Sequence, residues 1–222
     1  MMNRLNKSDQ NSLQKYWLSY LNLFKKNASP LSEDTKFVVL DTETTGFDFE
    51  VDRIISIGAI CVQKLEITIA SSFEIYIKQE RFNAATVEFH GIIKNEKIET
   101  LTEVEALERF LEYIGTAVLV AHHANFDVTM INMALRRNGL PKLKNKVLDT
   151  VYLYRATRIK SNLLDKKKMY SLDEIAENYD IDVSDRHTAA GDALITAIIF
   201  LKTLSKLGKG KALTVRELMK FH

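Results

Sequence analysis

The chain has 222 residues, 46% hydrophobic and 27% charged. That balance excludes a mostly disordered protein and fits one globular domain plus an appendage, at ~100–200 residues per domain. Eight Gly and two Pro exclude collagen-like or linker-dominated sequence and favour long uninterrupted elements, while a formal net charge of only +2 does not by itself point to a polyanionic partner.

Residues 1–35 read as an N-terminal helical extension. Leu13, Trp17, Tyr20, Leu21 and Phe24 fall on one face of a helix, and Asn27-Ala-Ser-Pro30 breaks it. The favoured expectation is a helix packed on the main domain; the alternative is a docking helix for a partner or a second protomer. The opening residues, MMNRLNKSDQNSLQ, lack the apolar core of a secretory leader. No apolar run approaches the ~18 residues that span a bilayer, so a cytoplasmic protein with no membrane partner is expected. The single cysteine, Cys61, lies in the apolar run IISIGAICV. It excludes an intramolecular disulfide and reads as a small buried hydrophobe.

Residues 36–222 read as a second unit. Lys36–Leu40 is a short apolar run of the kind that forms a strand covered on both faces. Residues 53–63 and 66–78 suit two further strands. A helical period covers 101–115, with Gly115 as its stop. A strand at 117–121 precedes a helix over 126–138, ended by Gly139 and Pro141. A short strand at 146–148 leads into a helix over 149–158. Ser171-Leu-Asp-Glu174 is a capping-box pattern, and a last long helix covers 190–206. This order predicts an α/β fold, a mixed sheet with helices on both faces.

Three short segments carry candidate chemistry. Asp41-Thr-Glu43-Thr-Thr-Gly46 follows the first buried strand, at the strand end where open α/β sheets bind ligands. Residues i and i+2 of a strand point the same way, so Asp41 and Glu43 can both reach one hard cation such as Mg²⁺. His122-His-Ala-Asn-Phe-Asp127 follows the strand at 117–121 and places Asp127 in the first turn of a helix. His187-Thr-Ala-Ala-Gly-Asp192 places a histidine little more than one turn before an acid at the start of the last helix. A histidine near neutral pKa can accept a proton from water. Each segment alone has a bland reading: solvated turn acids, a carboxylate complementing a helix dipole, an exposed histidine. Four acids and one histidine in this order are far more specific.

At these residues the chain resembles the DEDDh 3′→5′ exonucleases, typified by the proofreading subunit of bacterial replicative DNA polymerases. VVLDTETTGFD resembles the first motif of that family, VAHHANFD the second (usually H-N-A-x-F-D), and RHTAAGDALITA the third, H-x-x-x-x-D. Phe89-His-Gly-Ile92, Val147-Leu-Asp-Thr150 and Ser171-Leu-Asp-Glu174 also fit. The resemblance covers about residues 35–205. His123 is one departure, standing where Asn is usual.

The resemblance implies a three-layer ribonuclease H-like fold, with 36–222 as the exonuclease domain. It also implies hydrolysis with two divalent cations, Mg²⁺ or Mn²⁺, held by Asp41, Glu43, Asp192 and Asp127, with His187 taking a proton from the attacking water. Products would be 5′-mononucleotides cut from the 3′ end of a single strand of DNA, in proofreading with a DNA polymerase as partner, or in repair. RNA trimming, or single-strand binding without hydrolysis, are the alternatives. By the same resemblance Thr42, Thr44 and Gly46 line the terminal nucleotide. Phe47, His90 and His122 are further substrate contacts.

Charge distribution supports a nucleic-acid substrate independently. Residues 136–168 hold eleven Lys/Arg against Asp149 and Asp165, a net +9 in 33 residues. Such density is often a phosphate-tracking surface, and Lys166, Lys167 and Lys168 are its sharpest part. Residues 95–112 hold six Glu against two basic residues and are expected to face away from substrate. DTETT also resembles, superficially, the D-x-D-x-T loop of haloacid-dehalogenase-type phosphatases. Glu43 stands where that loop needs Asp.

Overall fold

The computed structural model describes residues 7–26, 35–79, 99–158, 168–184 and 186–221. In chain order the elements are α1 (Lys7–Lys26), β1 (Phe37–Thr44), β2 (Ile54–Gln63), β3 (Glu66–Ile77), β4 (Thr100–Leu101) and α2 (Glu103–Ile114). There follow β5 (Val118–Ala121), α3 (Asn125–Arg137), β6 (Val147–Asp149), α4 (Thr150–Thr157), α5 (Leu172–Asn178), α6 (Ala189–Gly208) and α7 (Val215–Leu218). The strands form one mixed sheet in the order β4-β3-β2-β1-β5-β6. β1, β2 and β3 are antiparallel neighbours, whereas β5 runs parallel to β1 and β6 parallel to β5.

The two faces of β1 sort the rest of the molecule. Val38 and Leu40 pack into a core shared with α1, α2 and α3. Val39 points the other way, into a cluster with Ala197, Phe200 and Leu204 of α6 and Val215 and Leu218 of α7. Because side chains alternate along a strand, Asp41 and Glu43 share the α6 side with Val39, and Thr42 shares the α3 side with Val38 and Leu40. A third cluster, built on Tyr154, Tyr170, Tyr179, Ile195 and Ile199, holds α4 and α5 against α6.

β1 extends four residues beyond the expected strand, to Thr44. Its acids therefore sit within the ladder, Asp41 opposite Gly58 and Glu43 opposite Ser56. β4 and α7 have no counterpart in the sequence reading. A two-residue strand and a one-turn helix are too short for a period to register.

The α1 stripe is consumed by the main core. Leu13, Trp17 and Tyr20 are buried with Leu107 and Phe110 of α2. The Tyr20 hydroxyl donates to Asn145 Oδ1 (2.6 Å) and accepts from the Lys144 N–H (2.7 Å). Asn145 in turn donates to the carbonyls of Gly115 (3.0 Å) and Ala117 (2.7 Å). Among the described residues no helix is long and apolar enough to cross a membrane.

Candidate active site

Asp41 and Glu43 arrive from β1, and Asp192 from the first turn of α6. One carboxylate oxygen of each lies within 4.8 Å of the others. The approach depends on a residue the sequence reading passed over. A Cβ on Gly58 would stand 2.1 Å from the Ala189 carbonyl carbon and 2.3 Å from the Ala190 nitrogen. With only hydrogen there, the start of α6 rests directly on β2 opposite Asp41. An isolated glycine inside an apolar strand run is the signal that could have found it. Thr188 caps the helix, its hydroxyl accepting from the Gly191 N–H at 3.0 Å.

Asp127 comes from the other face. It is buried in the first turn of α3, and its Oδ1 accepts from both the N–H (2.9 Å) and the hydroxyl (2.7 Å) of Thr42. Thr42 thus ties the fourth acid to the strand that carries the first two. The turn leading to Asp127 is held by Asp149 at the end of β6. Its carboxylate accepts from the N–H groups of His123 (3.3 Å), Ala124 (2.9 Å) and Val151 (2.9 Å). His123 is exposed and has φ +56°. Asn and His are both enriched in that left-handed region, which gives a backbone reason for His where the resemblance expects Asn.

His187 is exposed, with φ +69°, and its backbone N–H donates to Asp192 Oδ1 at 3.4 Å. His122 behaves differently. It is mostly enclosed, its Nδ1 is 2.9 Å from the Thr150 hydroxyl, and burial together with neighbouring His123 pushes its pKa down to about 3. Burial thus favours its neutral form, and its Nε2 is buried with no hydrogen-bond partner among the described residues.

The loop after β1 is wound around Asp52. The Asp52 carboxylate accepts from the Thr45 hydroxyl (2.7 Å) and the Asp48 N–H (2.9 Å), and a Cβ on Gly46 would meet its Oδ2 at 2.4 Å. Thr44 donates to the Gly46 carbonyl (2.7 Å). Phe47 projects from this loop, 83% exposed, with its ring 5.7 Å from that of Phe126 beside Asp127.

The basic segment is partly neutralised. Arg136 pairs with Glu50 (2.7 Å) and Arg137 with Glu103 (2.6 Å). The guanidinium of Arg158 lies over Tyr154. Lys168 pairs with Glu174 (2.7 Å) and lies over the Tyr170 ring. Three of the eleven charges are thus paired with the domain's own acids, in the β1–β2 loop, at α2 and at α5. His90, Lys166 and Lys167 lie outside the described residues.

The electrostatics of the acid cluster are unfavourable without a cation. Burial and the adjacent carboxylates of Asp127, Asp192 and Glu43 push Asp41 well above the usual carboxylate range. Burial, with help from Asp192, pushes Glu43 up to about 7, and burial pushes Asp127 up to about 7. A hard divalent cation would relieve this strain. The donors are all oxygen, which suits a hard cation rather than a soft metal. One side chain already offers partial relief. Arg186 donates to Asp192 Oδ2 through Nη1 and to Asp173 through Nε (2.7 Å) and Nη2 (3.2 Å).

Clustered carboxylates at the end of a central strand, on a mixed sheet with helices on both faces, define a metal-dependent nuclease of ribonuclease H-like fold. The chain belongs to the exonuclease family, whose pattern matches residues 38–200, and is a 3′→5′ exonuclease.

It is similar to the DNA polymerase III subunit epsilon of Aquifex aeolicus, 34% identical over 177 residues that cover 78% of this chain and 83% of that protein. It is also 37% identical, over 81% of its length, to the PolC-type DNA polymerase III of Caldanaerobacter subterraneus; the matched part is 12% of that much longer polymerase. Among solved structures the fold matches exonuclease X in complex with 5′-overhanging duplex DNA. The TM-score is 0.61 at 19% identity, covering 83% of this chain and 98% of that one. E. coli exonuclease I in complex with a dT13 oligonucleotide matches with TM-score 0.63 at 20% identity, over 80% of this chain and 41% of that one.

Proposed function

We propose that this exonuclease uses two divalent cations, Mg²⁺ or Mn²⁺, to release 5′-mononucleotides from the 3′ end of single-stranded DNA. The observation that carries the reading is the convergence of Asp41, Glu43 and Asp192 within 4.8 Å, with Asp127 joined to the same strand through Thr42. When bound, paired cations supply Lewis-acid stabilisation of both the attacking and the leaving oxygen of an in-line displacement. Asp41, Glu43, Asp192 and Asp127 would hold them, and four carboxylates match their summed charge. His187 accepts the proton of the attacking water. The new bond joins water oxygen to phosphorus, the P–O3′ bond breaks, and the freed 3′-hydroxyl takes a proton from solvent.

Phe47 offers an exposed aromatic face on which a base can stack. Thr42, Thr44 and Gly46 shape the strand end that receives the terminal nucleotide, and the basic segment, with Lys166, Lys167 and Lys168, follows the phosphates. We read residues 1–35 as an extension that completes the core of the 36–222 domain, and the cytoplasm as the compartment. Likeness to polymerase III epsilon and to PolC favours proofreading beside a DNA polymerase over a repair role.

The test is a 5′-labelled single strand, as DNA and as RNA, incubated with Mg²⁺, Mn²⁺ or chelator. Cation-dependent laddering of DNA is expected, lost in Asp41→Ala and His187→Ala. Laddering unchanged in those variants overturns the assignment. Faster laddering of RNA overturns the substrate, because the 2′-hydroxyl is what separates the two polymers.

A further inference from the structure

Arg186 sits at the edge of the acid cluster, bonded to one of its members. Its side chain is 16% exposed, and all three of its nitrogens are engaged. Nη1 is on Asp192, a member of the carboxylate cluster, while Nε and Nη2 form a fork on Asp173 in the first turn of α5. The fixed planar geometry of a guanidinium allows one residue to bridge two carboxylates in this way; an ammonium is a point charge and does not. The other charged groups facing it are Asp41 and Glu43, both of which feel its field. His187 follows it directly in the chain, and its backbone N–H also donates to Asp192 Oδ1 (3.4 Å).

Resting on the metal-centre reading above, we infer that Arg186 is the built-in counter-ion of the carboxylate cluster. Without a divalent cation it supplies the neutralising charge at Asp192 and keeps that carboxylate aimed at Asp41 and Glu43. Asp173 limits how far the guanidinium leans into the site. When a cation is present, Asp192 is held from the other side and Arg186 becomes a competitor for it. Arg186 is therefore a positioning residue that sets cation affinity, preventing collapse of the empty site at the expense of weaker binding.

A purely structural ion pair between α5 and the start of α6 would stabilise the protein equally with and without the cation. The counter-ion role would not. The experiment is calorimetric titration of the intact protein with Mn²⁺, paired with thermal melts in chelator and in saturating Mn²⁺. For Arg186→Gln the expectation is Mn²⁺ binding about tenfold tighter than wild type. Its melting temperature falls below wild type in chelator, and the gap narrows in Mn²⁺. Arg186→Lys keeps the charge and stays within about threefold of wild type. Asp173→Asn releases the guanidinium towards Asp192 and weakens Mn²⁺ binding by about threefold. If Arg186→Gln does not fold, the sign of the Asp173→Asn change decides. Equal or weaker Mn²⁺ binding by Arg186→Gln, a melting gap that Mn²⁺ leaves unchanged, or tighter binding by Asp173→Asn overturns the inference while leaving the metal centre intact. Absence of Mn²⁺ binding by the wild type overturns the metal centre itself, and the inference with it.

Discussion

Two buried polar regions of this molecule are built on opposite principles. At the α1 docking site, Tyr20 and Asn145 satisfy one another and also the backbone of Gly115, Ala117 and Lys144. Each donor has an acceptor and no net charge is enclosed. At the end of β1, acids gather with Arg186 as the cation that the described residues set against Asp192, and burial drives Asp41, Glu43 and Asp127 away from the ionised state. A closed hydrogen-bond network stabilises a fold; an open one made of like charges costs stability and is kept for what it binds. The two regions should therefore respond to mutation in opposite directions.

The largest effect is expected at Asp41. Asp41→Asn removes one carboxylate of the cluster and should lower kcat by about 10³-fold or more. It should also raise the melting temperature in chelator, because the enclosed negative charge falls. A variant that is inactive and less stable in chelator would erase the contrast drawn above. Gly58→Ala comes next. The new methyl has no room against Ala189 and Ala190, so α6 must move away from β1 and take Asp192 with it. A displacement of about 1 Å is enough for roughly 10²-fold in rate, alongside about 1–3 kcal/mol of overpacking. Steady-state kinetics and a denaturant melt read both.

Much of the site was legible because its acids fall at strand and helix ends in a distinctive order. The alternation along β1 sends Asp41 and Glu43 to one face, and the start of α6 brings Asp192 to it. What was not legible depends on pairs far apart in the chain. Tyr20 and Asn145 are 125 residues apart; the helical period marks Tyr20 as a buried ring, but nothing local marks Asn145 as its partner. Nothing in the sequence singles out Arg186; its partner Asp173 comes from α5, thirteen residues earlier. The charge count over 136–168 misled in part for the same reason, since Arg136 and Arg137 find Glu50 and Glu103 only in the folded chain. His123 is a different case, because its residue type answers a backbone angle that no motif spacing states.

Tyr20→Phe tests the closed network. It leaves Asn145 Oδ1 and the Lys144 N–H without their hydroxyl partner, at a cost of about 1–3 kcal/mol. At this chain length that is about 2–4 °C of melting temperature per kcal/mol. Activity per folded molecule should not change. A loss of kcat in Tyr20→Phe would mean that the two regions are coupled through the sheet.

The smallest effect is the pH dependence of the metal-free protein. Glu43 ionises near its ordinary 4.5 in the unfolded chain and at about 7 in the fold. Between those values the folded state holds the extra proton, so stability falls as pH rises through that window and levels off above it. Asp127, raised from 3.8 to about 7, contributes with the same sign. Glu43→Gln should remove the Glu43 share and leave that of Asp127, so the difference between wild type and variant in chelator should shrink stability steadily from about pH 4.5 to pH 7. Saturating Mn²⁺ should abolish that difference curve at neutral pH, because a cation favours the ionised carboxylate that burial opposes. A flat difference curve in chelator would place Glu43 in a wetter setting than the one β1, β2 and α6 build around it.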